Sequence, residues 1–184
     1  MTMKLKHISI ILIASASLLL SCTKEEREKM YTDQEKKIES FVESQKSSSP
    51  ETRVEYNGGA TRVVIAEGNG VELNARGKAG ILFAGYDFSK GSTSAQTMFA
   101  TNNYEFAMAN RWNLSDESLY EPVVIDLKDK DLIEGLARGL EGVREGEECY
   151  ILFSGKYAFG KHRLGTIPAN APLAYHIWVK TIEN

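Results

Sequence analysis

The chain has 184 residues, 42% of them apolar and 26% charged, with a formal net charge of −3. Once two compositionally odd leading segments are set aside, about 134 residues remain, enough for one globular domain and too few for two. All 25 acidic residues lie beyond Cys22 whereas Lys4 and Lys6 precede it, so the chain after that point carries −5 and electrostatic binding to nucleic acid or anionic lipid is disfavoured.

Met1–His7 holds two lysines, and Ile8–Leu20 follows as thirteen uncharged residues of Ile, Leu, Ala and Ser. Thirteen residues cannot cross a bilayer, which needs about 20, so residues 1–21 read as a secretory signal peptide. Leu19-Leu20-Ser21-Cys22 resembles a bacterial lipobox. That resemblance implies a diacylglycerol on the Cys22 thiol, cleavage before it and palmitate-type acylation of the new terminus, with several acyl chains anchoring the protein to a membrane. Thr23-Lys24-Glu25-Glu26 resembles the export signal of Bacteroidota lipoproteins, which implies the outer membrane, on its periplasmic or cell-surface face. The other cysteine, Cys149, then has no disulfide partner; it lies in an apolar run and is expected as a buried core thiol.

Residues 22–50 are expected as a lipid-bearing charged tether. Thr23–Ser49 contains seven acids, six bases and few apolar residues, too little to bury a core of its own. Tyr31, Ile38, Phe41 and Val42 fall near helical spacing, which predicts an amphipathic helix over about Thr32–Gln45, ending at the flexible Lys46–Pro50.

Residues 51–184 form the domain. Thr52–Tyr56 and Thr61–Ile65 alternate like strands around the turn signal Asn57-Gly58-Gly59, and Gly80–Tyr86 is apolar and β-prone. Met98-Phe99 and Pro122–Leu127 read as further strands, with an irregular stretch from Asn102 to Glu121 between them. Asp131–Gly142 reads as a helix, opened by a capping box of Asp131 and Glu134, striped with Leu132, Ile133, Leu136 and Leu140, and stopped by Gly142. Gly135 and Gly139 each cost a helix about 1 kcal/mol, which predicts close packing on their side. Strands at Cys149–Phe153 and Ala174–Ile182 end the chain. This order predicts an α+β fold, a twisted antiparallel sheet with a helix on one face.

Hydrolytic and metal chemistry find no support. Gly68-Asn69-Gly70 lacks the third glycine and following helix of a phosphate loop. His162 and His176 have no partner at ligand spacing, Ser154 is not in a nucleophile elbow, and Asp126, Asp129, Asp131 and Glu134 match a calcium loop poorly. No metal or cofactor is expected, and an activity would have to use an apolar surface and backbone groups.

Leu132-Ile133-Glu134-Gly135-Leu136-Ala137-Arg138-Gly139-Leu140, followed by Gly146-Glu147, resembles the helix of FKBP-type peptidyl-prolyl cis-trans isomerases. Tyr157-Ala158-Phe159-Gly160 and Gly165-Thr166-Ile167-Pro168 are similar to that family's loop motifs, as are Glu67–Gly70, Phe83-Ala84-Gly85 and Phe99-Ala100 to its earlier ones. The resemblance covers about residues 62–182 and implies an FKBP-like twisted antiparallel sheet wrapped on one short helix, after a charged N-terminal helix or spacer. It implies a site of Phe83, Phe99, Val123, Leu132, Ile133, Leu136, Phe159, Ile167 and Tyr175, with the Ile133 amide available to a substrate carbonyl. Against the family pattern, Leu136 replaces a Trp floor, Ala100 an Asp, Phe83 and Phe159 tyrosines, and Val123 a Phe wall. The implied partners are proline-containing polypeptides, and two functions stay open: a weak membrane-anchored isomerase assisting exported proteins, or a non-catalytic peptide-binding or chaperone lipoprotein. In the second, Tyr104, Phe106, Trp112 and Tyr120 either form a contact surface or pack the 102–121 insertion down.

Overall fold

A computed structural model describes residues 5–112 and 120–184, with side chains from residue 24 onward. The leader and the lipid-attachment site at Cys22 fall on side chains outside the described residues. Among the described residues no helix is long and apolar enough to cross a membrane. Two compact units divide the chain, Met1–Asp33 and Gln34–Asn184. The first is helical from Leu5 onward.

The elements are α1 (Leu5–Ser48), β1 (Arg53–Asn57), β2 (Ala60–Ala66), β3 (Lys78–Asp87), β4 (Met98–Thr101), α2 (Tyr104–Ala109), β5 (Val123–Asp126), α3 (Glu134–Leu140), β6 (Glu148–Phe153) and β7 (Leu173–Glu183). The strands form one antiparallel sheet in the order β1-β2-β6-β7-β3-β4, with β5 also pairing β3. This is the expected FKBP-like α+β arrangement. The first hairpin turns at Gly58 and Gly59, both at positive φ (57° and 99°), where side chains are disfavoured.

Successive residues of β6 point to opposite faces. Cys149, Ile151 and Phe153 face α3 in a core shared with Ile81, Leu140, Leu173 and Ile177, whereas Tyr150 and Leu152 face the other side. Cys149 is a buried free thiol whose pKa burial pushes well up, as the core reading of that cysteine requires. The second face is not open. Ile38 and Val42 of α1 are buried on it with Val63, Tyr86, Phe88 and Leu152, and the Phe41 ring sits edge-on to Phe88 (5.6 Å) and Tyr150 (5.3 Å). The segment expected as a solvated spacer therefore contributes to the core from Gln34 onward, and the sheet carries helix on both faces.

The insertion is also more ordered than its sequence predicts. Asn103 caps α2, its side chain accepting the Phe106 amide at 3.1 Å. Phe106 packs on Trp178 (5.2 Å) and His176 (5.6 Å), and Trp112 joins the same cluster, so these two rings pack the insertion down. Tyr104 stays half exposed and meets Tyr120 edge-on. His176 is stacked on Tyr150 and lies 2.7 Å from Glu148 Oε1; burial holds its imidazole below the ordinary value, against the pull of that carboxylate.

Helix α3 starts later than its capping box predicts. The Asp131 amide donates to Asp129 Oδ1 (2.9 Å), placing Asp131 in a turn before the helix, and Ile133 occupies the cap position without a side-chain bond. Glu134 instead pairs with Arg138 one turn on. At the other end the buried Arg62 guanidinium donates to the carbonyls of Gly139 (3.0 Å) and Glu141 (2.8 Å), satisfying groups the helix leaves orphaned. Gly142, at φ 81°, ends the run as expected. A Cβ on Gly135 would lie 2.2 Å from the Phe153 ring and one on Gly139 2.1 Å from Ile151, so both glycines serve close approach to β6.

Candidate functional site

On the α3 face the sheet, the helix and the loop between β6 and β7 enclose a cavity of about 470 Å³. Ile81 and Phe83 enter from β3, Phe99 and Ala100 from β4, Ile125 from β5, Leu136 from α3 and Tyr175 from β7; Phe159 and Leu164–Ile167 close it from the loop. Among the described residues no lining residue is charged. Apolar clefts of this size commonly take small apolar ligands.

The wall around Tyr175 is aromatic. Its ring lies 5.9 Å from Phe83, 6.0 Å and edge-on from Phe99, and 6.0 Å stacked on Phe153. Gly85 permits this crowding, since a Cβ there would come within 2.6 Å of the Phe99 ring and 3.2 Å of the Tyr175 ring. Between the stretches of β3 that pair β4 and β5, Asn102 takes over the ladder. The Phe83 amide donates to Asn102 Oδ1 (2.5 Å), and Asn102 Nδ2 donates to the carbonyls of Ile81 (3.1 Å) and Glu121 (2.9 Å). The insertion leaves the sheet here, and this buried amide satisfies the Phe83 backbone on the edge away from β7.

The loop is held at both ends. Gln34 Oε1 accepts the Gly155 amide (2.8 Å) and Gln34 Nε2 donates to the Asn170 carbonyl (2.8 Å), so one buried side chain of α1 clamps the segment carrying Phe159 and Ile167. Within it, Leu164 and Ile167 exchange backbone bonds (3.1 and 2.9 Å) across a turn with Gly165 at φ 56°. The Gly135 amide donates to the Tyr157 carbonyl (2.9 Å), tying the first turn of α3 to the same loop.

Phe83, Phe99, Leu136, Phe159, Ile167 and Tyr175 are thus brought together around the cavity. Val123, Leu132 and Ile133 do not line it. Val123 is 38% exposed, and Ile125, two residues along the same face of β5, takes the wall position. Leu132 and Ile133 are half buried against the core in the turn before α3. Among the described residues the Ile133 amide donates to no group. Residue-by-residue reading passed over Ile81, Ile125 and Leu164–Thr166. Strand alternation would have reached Ile125 from Val123, and the other residues adjoin motifs already singled out.

Residues 90–180 match the family model described as FKBP-type peptidyl-prolyl cis-trans isomerase. No curated protein matches the chain in sequence. Among solved structures, FkpA from Escherichia coli is similar at 18% identity and a TM-score of 0.55, covering 99% of this chain and 74% of that one. A peptidyl-prolyl cis-trans isomerase from Pseudomonas syringae pv. tomato is similar at 15% identity and a TM-score of 0.56, covering 85% of this chain and 96% of that one. The structure of the three FKBP domains of wheat FKBP73 is similar at 18% identity and a TM-score of 0.52, covering 71% and 49%. At such identities these likenesses speak to the fold alone. Together they show an FKBP-like fold in which residues 90–180 match the FKBP-type peptidyl-prolyl cis-trans isomerase family model.

Proposed function

We propose that this protein is a weak peptidyl-prolyl cis-trans isomerase, held to the outer membrane by lipid on Cys22, that acts on proline-containing segments of exported polypeptides. The observation that carries the reading is the uncharged, mostly apolar cavity over Leu136. Rotation about an Xaa-Pro bond has a barrier of about 18–20 kcal/mol, set by amide resonance. The planar amide is more polar than the twisted one, so a dry apolar pocket disfavours the ground state relative to the transition state, and no acid, base or nucleophile is needed. The free Ile133 amide, three residues before the floor residue Leu136, supplies a donor that would hold a substrate carbonyl without entering the chemistry. Activity is weak on this reading because Leu136 offers less surface than an aromatic floor, while Ala100, Phe83 and Phe159 offer no polar atom to orient a peptide. The lipobox and the acidic residues after it support the anchor and its membrane; labelling by radioactive palmitate that disappears in Cys22→Ser would check them.

Exchange NMR on a short Xaa-Pro peptide tests the activity. Acceleration should be seen with the wild-type protein, and none at high protein concentration would overturn the isomerase in favour of the non-catalytic peptide binder. Ile133→Pro should lower kcat/KM by about tenfold, the worth of one hydrogen bond, while Ile133→Ala, which keeps the amide, should not. Ile133 has φ −56°, close to proline's own angle, so the replacement fits the backbone there.

A further inference from the structure

Within the apolar cavity one side-chain oxygen has no counterpart. Tyr175 is only 6% exposed and packed among Phe83, Phe99 and Phe153, yet its hydroxyl has no hydrogen-bond partner among the described residues. The hydroxyl is not sealed in, as the unpartnered Ser154 hydroxyl is; it belongs to a ring that lines the cavity. A phenylalanine would fill the same space, as it does at the neighbouring positions, so the hydroxyl is not needed for packing. Among the described residues of the lining, Thr166 supplies the only other side-chain hydroxyl.

Resting on the isomerase-fold reading of this pocket, we propose that Tyr175 is a specificity-determining residue whose hydroxyl donates a hydrogen bond to a carbonyl oxygen of the bound peptide. The group selected is an apolar ring with an acceptor beside it, as in a prolyl residue with its own carbonyl. That acceptor is not the oxygen of the rotating amide, because a bond to it would stabilise the planar form and slow rotation. It belongs to an adjoining peptide unit, so the bond is present equally before and during rotation and acts on KM rather than kcat. Burial pushes the phenol's pKa well up, which keeps it a donor across the physiological range. The residue thus provides the polar handle that Phe83, Phe159 and Ala100 do not.

Tyr175→Phe in the full-length protein is the test, since it removes one oxygen and keeps the ring. Affinity for a proline-containing tetrapeptide, measured by NMR titration, should fall about fivefold, with KM raised to match and kcat unchanged. The urea midpoint of the free protein should stay the same, because no hydrogen bond within the protein is lost. Unchanged affinity would overturn the proposal. So would a lowered urea midpoint, which would reveal a structural partner, or a fall in kcat at constant KM. Wild-type protein that binds the peptide but does not isomerise it would overturn the activity and leave the affinity comparison to decide on Tyr175. Wild-type protein that binds no proline peptide would overturn both.

Discussion

Replacing Gly135 by alanine should destabilise the domain by about 2 kcal/mol, although the same change in an open helix stabilises by about 1. The sign is decided by what a methyl group would meet. A Cβ at Gly135 would lie 2.2, 2.4 and 2.6 Å from three atoms of the Phe153 ring. That ring is fully buried and stacked on Tyr175, so it has no free space to turn into. Relief would require α3 to lift from β6, carrying with it Leu136, the cavity floor, and loosening the bond from the Gly135 amide to Tyr157. Overpacking of this kind costs about 1–3 kcal/mol, which outweighs the gain in helix propensity. Urea unfolding monitored by circular dichroism would read the change. Adding Phe153→Leu should recover part of the loss, a coupling expected only of groups in contact. A neutral or stabilising Gly135→Ala would mean that α3 sits further from the sheet than described.

That packing was legible from the residues alone. Two glycines four apart in a helical stripe make sense only if something approaches closely, and Phe153 and Ile151 are what approach. The strands were legible for a similar reason: the apolar, β-prone run Cys149–Phe153 and the Asn57-Gly58-Gly59 turn are local signals that the tertiary structure does not contradict. The start of α3 was not legible, because Asp131 and Glu134 satisfy the spacing of a capping box while Asp129 offers the Asp131 amide a nearer acceptor. Helix α2 is six residues long, too short to show a period. In the site, the family resemblance implied nine residues, and six of them, Phe83, Phe99, Leu136, Phe159, Ile167 and Tyr175, line one cavity. It could not tell Val123 from Ile125, which share a face of β5 and differ only in depth.

A chain beginning at Glu51, where the sequence alone puts the domain boundary, should be less stable by at least about 3 kcal/mol than one beginning at Thr23, and should bind hydrophobic dyes in its native conditions. High average charge hides the reason. Within the tether, Ile38, Phe41 and Val42 stand at positions i, i+3 and i+4, the minimum for a one-sided apolar stripe, and that stripe is docked on the back of the sheet. Removing it would expose Phe88, Leu152, Val63 and Tyr86, all buried in the intact domain, with about 2 kcal/mol lost for each large side chain that becomes fully wetted. The same truncation deletes Gln34 and with it both bonds that clamp Gly155 and Asn170. Gly155 has no room for adjustment, since a Cβ there would fall 2.0 Å from the Asn170 carbonyl oxygen, so the loop ends must stay closely apposed to hold Phe159 and Ile167 over the cavity. Peptide affinity should therefore fall together with stability. Val42→Asp in the longer chain, which leaves Gln34 in place and puts an unpaired charge into the helix–sheet contact, should reproduce the loss of stability. Equal urea midpoints for the two chain lengths would return α1 to the role of a spacer.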